Sequence, residues 1–251
     1  MSTDPTLTKI LSRLDAIDAR LGSQAERMQT ISDRTQRTMY AQIEALIGLY
    51  RELDGQRTLP PLRRWAISPD SARLVLGLVR EHRPRNVLEC GSGASTILFG
   101  HLHLAGEIER LIALEHDVVW HELARQQLRQ FGLEDETELH FTPLVDHPDE
   151  AVETPWYDTT EVEFAPLDMV LVDGPPDATG PLARFPAAPL LLEHCRPGCL
   201  FVMDDFIRQS EQDTVDRWIE EYPMTLIAVH ESPEKHLAVV QYDGGFGADD
   251  A

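Results

Sequence analysis

Three groups of residues have the types and spacing to do chemistry. Glu89-Cys90-Gly91-Ser92-Gly93-Ala94-Ser95-Thr96 puts two glycines between a short apolar run and the start of a helical pattern. Glycine there lets the backbone turn tightly and approach a ligand, and the free amides at a helix start donate hydrogen bonds. Glu115 ends the next apolar run, 22 residues after Gly93, where a carboxylate can accept from both hydroxyls of a ribose. Asp173 ends a further apolar run and Asp204-Asp205 another, 31 residues later. If those runs are neighbouring strands, the three carboxylates converge, and they repel unless a cation binds, one takes a proton or basic groups intervene. A hard divalent ion such as Mg²⁺ fits an all-oxygen set. A strand-end cap on backbone amides is the other reading of Asp204 and Asp205.

The same residues exclude other chemistry. A dinucleotide fingerprint needs a third glycine at position 96, which Thr96 occupies, and no Gly-Lys-Ser/Thr follows to make an ATP-type phosphate loop. With 22 Lys+Arg against 43 Asp+Glu, the formal net charge is −21, which argues against a nucleic-acid partner and against a polybasic membrane surface. No run reaches the ~18–20 apolar residues of a membrane span, and MSTDPTLTK lacks the features of a secretory signal, so a cytoplasmic protein is expected. Three cysteines, Cys90, Cys195 and Cys199, give no disulfide framework; buried thiols are a simpler reading than zinc ligands shared with His194. Only two of the basic residues, Lys9 and Lys235, are lysines.

These groups must be positioned by regular elements. Leu7, Leu14, Leu21 and Met28 recur every seven residues, with Ile10, Ile17 and Ile31 three residues after members of that series: an a/d seam. The seam drifts near Thr35 and resumes at Met39, Ile43, Leu46, Ile47, Tyr50 and Leu53. A helix of about 48 residues extends about 70 Å, too long for one small domain to cover, so self-association as a coiled coil is expected; an amphipathic helix folded back on its own domain is the alternative. Beyond the linker, helical and strand patterns alternate: a helix over 69–81, strands at 86–90, 111–114, 138–142, 168–172 and 199–203, helices at 94–104, 118–131, 187–194 and 211–221, and a closing strand pair at 225–230 and 236–242. This predicts an α/β domain with a mainly parallel sheet and ligands beyond the carboxyl ends of its strands. The expected organisation is a helical arm over 1–55, a linker over 56–67, the α/β domain over 68–243 and a disordered acidic tail over 244–251.

With the elements in place, VLECGSGAST, LIALEHD, DMVLVDGPP and PGCLFVMDDF, in this order and spacing, resemble a class I S-adenosylmethionine-dependent methyltransferase over about residues 68–242. The resemblance implies a Rossmann-like seven-stranded sheet of order 3-2-1-4-5-7-6. It further implies that Glu89, Gly91, Gly93 and Ser95 surround the methionine part of the cofactor, that Glu115 holds the ribose, and that His116 and Pro143-Leu144 flank the adenine. Asp173, Asp204 and Asp205 match by position the metal ligands of the metal-dependent small-molecule and sugar O-methyltransferases, including the macrocin O-methyltransferase-like group. The sequence departs from that group after Asp173, where Gly174-Pro175-Pro176 replaces the further acid that serves as base.

His147, in the loop after the third strand, is the preferred replacement base, because imidazole titrates near neutrality, and Asp177 is second. Trp156, Tyr157 and Phe164 lie in the loop before Asp173, either to stack on an acceptor or to cover the core. From Gln130 to Ala183 there are 14 carboxylates and no Lys or Arg, a field that favours a neutral or cationic acceptor, with Arg184 the nearest group able to hold a negative one. The expected activity is O-methylation of a hydroxyl on a small molecule or glycan. A metal-independent N- or C-methyltransferase, or a coiled-coil scaffold whose methyltransferase-like domain does not catalyse, are the competing readings.

Overall fold

A computed structural model describes residues 5–54, 57–148, 152–231 and 234–245. The expected acidic tail therefore lies, from residue 246 on, outside the described residues. The chain divides into two compact units, with the boundary between Glu44 and Ala45.

Helix α1, Pro5–Glu52, has 48 residues and crosses that boundary. In the first unit it exposes Leu14, Ile17, Leu21, Met28 and Ile31, all members of the heptad seam. Its last turns belong to the second unit, where Leu49 and Leu53 are fully buried. There Glu52 Oε1 accepts from Arg73 Nε at 2.8 Å and Glu52 O from Arg80 Nη2 at 2.9 Å. That arginine thus satisfies one of the orphan carbonyls every helix end leaves.

The second unit is a seven-stranded sheet between two layers of helix. Its strands are β1 (Asn86–Cys90), β2 (Arg110–Glu115), β3 (Glu138–Phe141), β6 (Leu167–Val172), β7 (Cys195–Met203), β8 (Met224–Glu231) and β9 (His236–Tyr242). The order is β3-β2-β1-β6-β7-β9-β8, parallel except for β9, which runs antiparallel to both β7 and β8. With the two short strands β4 (Leu144–Val145) and β5 (Trp156–Tyr157) set aside, this is the expected 3-2-1-4-5-7-6. Those two form a separate antiparallel ladder that the sequence pattern does not reveal, because two residues are too few to show a period.

Alternation along the strands sorts the core. Val87, Leu111, Met169, Leu171, Leu200 and Val202 face one layer, made by the end of α1, α2 (Pro69–His82), α3 (Ala94–Leu104) and Leu128 of α4 (Val118–Phe131). Leu88, Cys90, Ile112, Leu114, Val170, Val172, Phe201 and Met203 face the other, where α5 (Ala187–Leu191) and α6 (Gln209–Glu221) pack with Trp156 and Tyr157. Burial on both faces is why these strands read as continuous apolar runs. Sealing is good at the helix starts: Pro69 follows the N-cap Ser68, and Asp117 Oδ1 accepts from the amides of Val119 and Trp120 at 2.8 and 3.0 Å.

The register sets the site. Cys90 lies opposite Leu114 on one side and Val172 on the other, and Val172 lies opposite Met203. Gly91, Glu115, Asp173 and Asp204 each directly follow these last pairs, so all four stand at the carboxyl ends of neighbouring central strands. β1 stands where the strand order reverses, the crevice in which open α/β sheets bind ligands.

Candidate functional site

One pole of the site is the turn after β1. Gly91 has φ +98°, a conformation that side-chain-bearing residues avoid, and a Cβ on it would stand 3.4 Å from the backbone of Asp173 and Gly174. Gly93 is extended, with open space around its Cα, so a ligand has room there. Thr96 Oγ1 accepts from Gly93 N at 2.8 Å and donates to Glu89 Oε2 at 2.6 Å. That relay ties the start of α3 to β1, which is the structural use of the residue standing where a dinucleotide fold has glycine. Glu89 is fully buried and its other oxygen, Oε1, has no partner among the described residues. Burial pushes its pKa from 4.5 up to about 8, so it carries a proton near neutrality until a cation approaches.

Glu115 behaves oppositely. Burial raises its pKa, but His116 Nδ1 at 3.2 Å from Oε1, the amide of Asp117 at 2.9 Å, and the amide and hydroxyl of Ser92 at 3.1 and 2.8 Å together hold it below the ordinary value. It is a fixed carboxylate at the strand end. Beside it, His116 is half-buried and edges onto the Tyr157 ring at 6.0 Å between centroids, and half-buried Leu144 pairs with Tyr157 across β4 and β5. Ser95 is buried in the first turn of α3.

The second pole is the carboxylate cluster. One oxygen from each of Asp173, Asp204 and Asp205 lies within 4.8 Å of the others. Asp204 is fully buried, Asp205 nearly so with φ +56°, and Asp173 is partly open. A left-handed aspartate at a strand end is a strained position of the kind that concentrates at functional sites. Arg184 is the buried strut beneath them. Its Nη1 donates to Asp204 O at 2.8 Å and its Nη2 to Asp173 O at 3.0 Å, while Nη2 also stands 3.4 Å from Asp173 Oδ1 and Asp205 Oδ2. Lys235 Nζ lies 3.3 Å from Asp204 Oδ2 and 3.2 Å from Asp205 Oδ1, and Arg208 Nη2 lies 2.8 Å from Asp205 Oδ2. Asp205 is thus held below its usual pKa, since Lys235, Arg184 and Arg208 together outweigh its burial. Asp173 is pushed well above its own, by burial first and by the Asp204 charge second, against the pull of Arg184 and Lys235.

This arrangement tests the metal expectation. Asp173 Oδ1, Asp204 Oδ2 and both oxygens of Asp205 already face an ammonium or a guanidinium group, so, as arranged, the cluster does not fit a divalent ion on those oxygens. Asp204 Oδ1 is buried without a hydrogen-bond partner among the described residues.

A cleft of ≈ 430 Å³ opens beside the cluster, lined by Asp173, Asp205, Arg184, Arg208, Lys235, Arg64 and the exposed Trp65. Another, of ≈ 470 Å³ around Arg83, Arg85 and Glu107, lies at the amino ends of β1 and β2, away from the glycine turn. The other expected residues fall in different places. His147 is exposed in the segment after β4 and does not line the cleft. Trp156 and Tyr157 are core residues, with Phe164 packed on that core, because β5 turns their rings inward onto β1 and β2. Arg184 serves the strand ends and offers no free guanidinium for an acceptor. Missed altogether were Arg64, Trp65, Arg208 and the contact made by Lys235. The one available signal was that Lys235 is the sole lysine beyond the arm.

Comparison with known proteins gives the fold independently. Residues 88–206 match the family described as "Methyltransferase domain". Among solved structures, the O-methyltransferase TomG of Streptomyces achromogenes, involved in tomaymycin synthesis and in complex with SAM, is 21% identical, with 81% of this chain and 90% of that one covered at a TM-score of 0.53. Cofactor-bound Rv0187 from MTB is 22% identical, covering 80% and 91%, with a TM-score of 0.57. The SAH-bound methyltransferase PaMTH1 of Podospora anserina is 12% identical, covering 85% and 96%, with a TM-score of 0.59. No curated protein matches the chain. Among the described residues no helix is long and apolar enough to cross a membrane.

Proposed function

We propose that this chain, which carries a methyltransferase domain over residues 88–206 on a class I methyltransferase fold, is an S-adenosylmethionine-dependent O-methyltransferase acting on a hydroxyl of a small molecule or glycan. The observation that carries the reading is the contact between the two poles: the glycine turn lies against the backbone of Asp173, so a cofactor on the turn presents its methyl group to the carboxylate cluster. Similar structures hold SAM or SAH, in line with that assignment.

In this reading Glu89, Gly91, Gly93 and Ser95 surround the methionine part, Glu115 takes the ribose hydroxyls, and His116 and Leu144 flank the adenine. The unpartnered oxygen of Glu89 suits a cationic amino group. The acceptor oxygen attacks the methyl carbon; the O–C bond forms, the S–C bond breaks and a neutral thioether leaves. The enzyme aligns the two reactants, excludes water and removes a proton. Asp173 is the proton acceptor we favour over His147, since it lines the cleft and its raised pKa brings it closer to that of a hydroxyl. No step is routed through a metal. The arm, with its exposed heptad seam, is read as pairing with a second copy of itself.

Calorimetry with S-adenosylhomocysteine, followed by transfer of labelled methyl to a panel of hydroxylated acceptors, tests this. Asp173→Asn should keep S-adenosylhomocysteine affinity and lose turnover. Absence of any heat at millimolar ligand refutes the cofactor assignment, and an Asp173→Asn protein with undiminished turnover refutes the base.

A further inference from the structure

We propose that the ammonium of Lys235 occupies the cation position of the Asp173–Asp204–Asp205 cluster and holds the acceptor oxygen there, in place of a divalent ion. What it does to the acceptor rests on the methyl-transfer reading above; that it fills the cation position does not.

The geometry is that of a small fixed cation. Lys235 Nζ stands 3.3 Å from Asp204 Oδ2 and 3.2 Å from Asp205 Oδ1, and it also donates to Ala66 O at 3.4 Å. Its side chain is nearly buried, yet it lines the cleft with Asp173. The backbone fixes its reach: Phe206 N donates to His236 O at 2.9 Å, and Met203 pairs with Ala238, so the residue before β9 is tied directly to the corner that carries Asp204 and Asp205.

Charge agrees with geometry. Asp173, Asp204, Asp205 and buried Glu211 face Arg184, Arg208 and Lys235, with Asp177 also 3.7 Å from Arg208, so the carboxylates of the cluster already have fixed cations beside them. A divalent ion bonds oxygens at about 2.0–2.6 Å and needs their lone pairs free. Here Asp204 Oδ2 and Asp205 Oδ1 already face the ammonium, so an ion bound by those oxygens enters only by displacing it.

The choice of residue points the same way. Twenty of the 22 basic side chains are arginine, and the globular unit's one lysine stands at this cluster. Guanidinium is a flat fork suited to bidentate pairing, whereas ammonium is a compact charge with three donors that can be redirected. Of the contacts to Asp204, Asp205 and Ala66, the one to Ala66 O is the longest, and an acceptor oxygen in the cleft can take that donor. Beside the ammonium, the hydroxyl loses its proton to Asp173 more readily, and the oxygen then attacks the methyl carbon.

The test uses the full chain, stripped with EDTA and dialysed, and titrated with Mn²⁺ by calorimetry and by the electron paramagnetic resonance of free Mn²⁺. Lys235→Met should acquire a Mn²⁺ site at least ~10-fold tighter than any in the wild type, lost again in Lys235→Met/Asp204→Asn. Wild-type methyl transfer should be unchanged by EDTA, and Lys235→Arg, which keeps the charge but not the compact donor, should lose turnover. S-adenosylhomocysteine affinity and melting temperature, measured on every variant, identify folded protein. Stoichiometric Mn²⁺ binding by the wild type that disappears in Asp204→Asn overturns the proposal. So does a folded Lys235→Met protein with wild-type turnover and no gain in Mn²⁺ binding. Failure of the wild type to bind S-adenosylhomocysteine would count against the methyltransferase reading while leaving the Mn²⁺ comparison intact.

Discussion

Replacing Glu89 with Gln should stabilise the ligand-free protein while weakening its cofactor site. Glu89 is fully buried, and burial moves its pKa from 4.5 to about 8. A carboxyl with a raised folded-state pKa is at its best below the unfolded value, and its contribution is lost as pH rises towards the folded value. Linkage with these two values gives a cost of ionising the unfolded but not the folded side chain of about 1 kcal/mol near pH 5, about 3 near pH 7 and about 5 near pH 9. Gln removes that pH-dependent cost, and its carbonyl oxygen can still accept the Thr96 hydroxyl that Glu89 Oε2 accepts now. Urea denaturation of both proteins at the three pH values reads the difference directly, and calorimetry with S-adenosylhomocysteine reads affinity, which should fall. Binding to the wild type near neutrality should release close to one proton, seen as a dependence of the heat on buffer ionisation, and the variant should release none. A stability difference that is the same at all three pH values would refute the reasoning about Glu89.

Arg184→Met removes the cation shared by Asp173, Asp205 and Glu211 and leaves the carbonyls of Asp173 and Asp204 short of a donor; denaturation should show a loss of about 3–5 kcal/mol. The two glycines should separate: Gly91→Ala, at φ +98°, should cost about 1–2 kcal/mol in a thermal melt. Gly93→Ala, extended and in open space, should leave stability unchanged and lower only S-adenosylhomocysteine affinity. Leu21→Asp, in the middle of the exposed seam, should shift the molar mass measured by light scattering to that of a single chain, and an unchanged oligomer would locate self-association elsewhere.

What was legible in the sequence was whatever depends on neighbours along the chain. Strands β1, β2, β6 and β7 are apolar runs because both faces are covered, and the glycine turn, Glu115, Asp173 and Asp204 follow them directly. The sheet order came from the resemblance and agrees with the observed one. What was not legible depends on contacts between distant segments. Arg184 serves strand ends at Asp173 and Asp204 from within a loop, and nothing in its own surroundings in the sequence tells a strut from an exposed arginine. Lys235 reaches Asp204 from 31 residues away through the antiparallel closure of β9 on β7. Trp156 and Tyr157 sit among loop residues, which left stacking on an acceptor and covering the core both open, and their pairing with Val145 and Leu144 turns them inward onto the core.

The acidity shows how far such readings can diverge from a local site. Of the 14 carboxylates between Gln130 and Ala183, Asp173 is the one that lines the cleft, while Glu138 is held by Arg110 at 2.6 Å and Asp168 by Arg196 at 2.6 Å, the latter two at the amino ends of β6 and β7, opposite the carboxyl ends that carry the site. Around the cleft itself stand Arg64, Arg184, Arg208 and Lys235. At physiological salt a charge is felt over about 8 Å in solvent, so the residues at the mouth, and not the sum over the chain, decide what the acceptor meets. The −21 therefore bears on solubility and on the approach of a cationic cofactor from a distance. In that cleft the carboxylates of Asp204 and Asp205 already face the fixed cations of Lys235, Arg184 and Arg208, so a negative group on an acceptor would meet a mouth far less acidic than the chain as a whole.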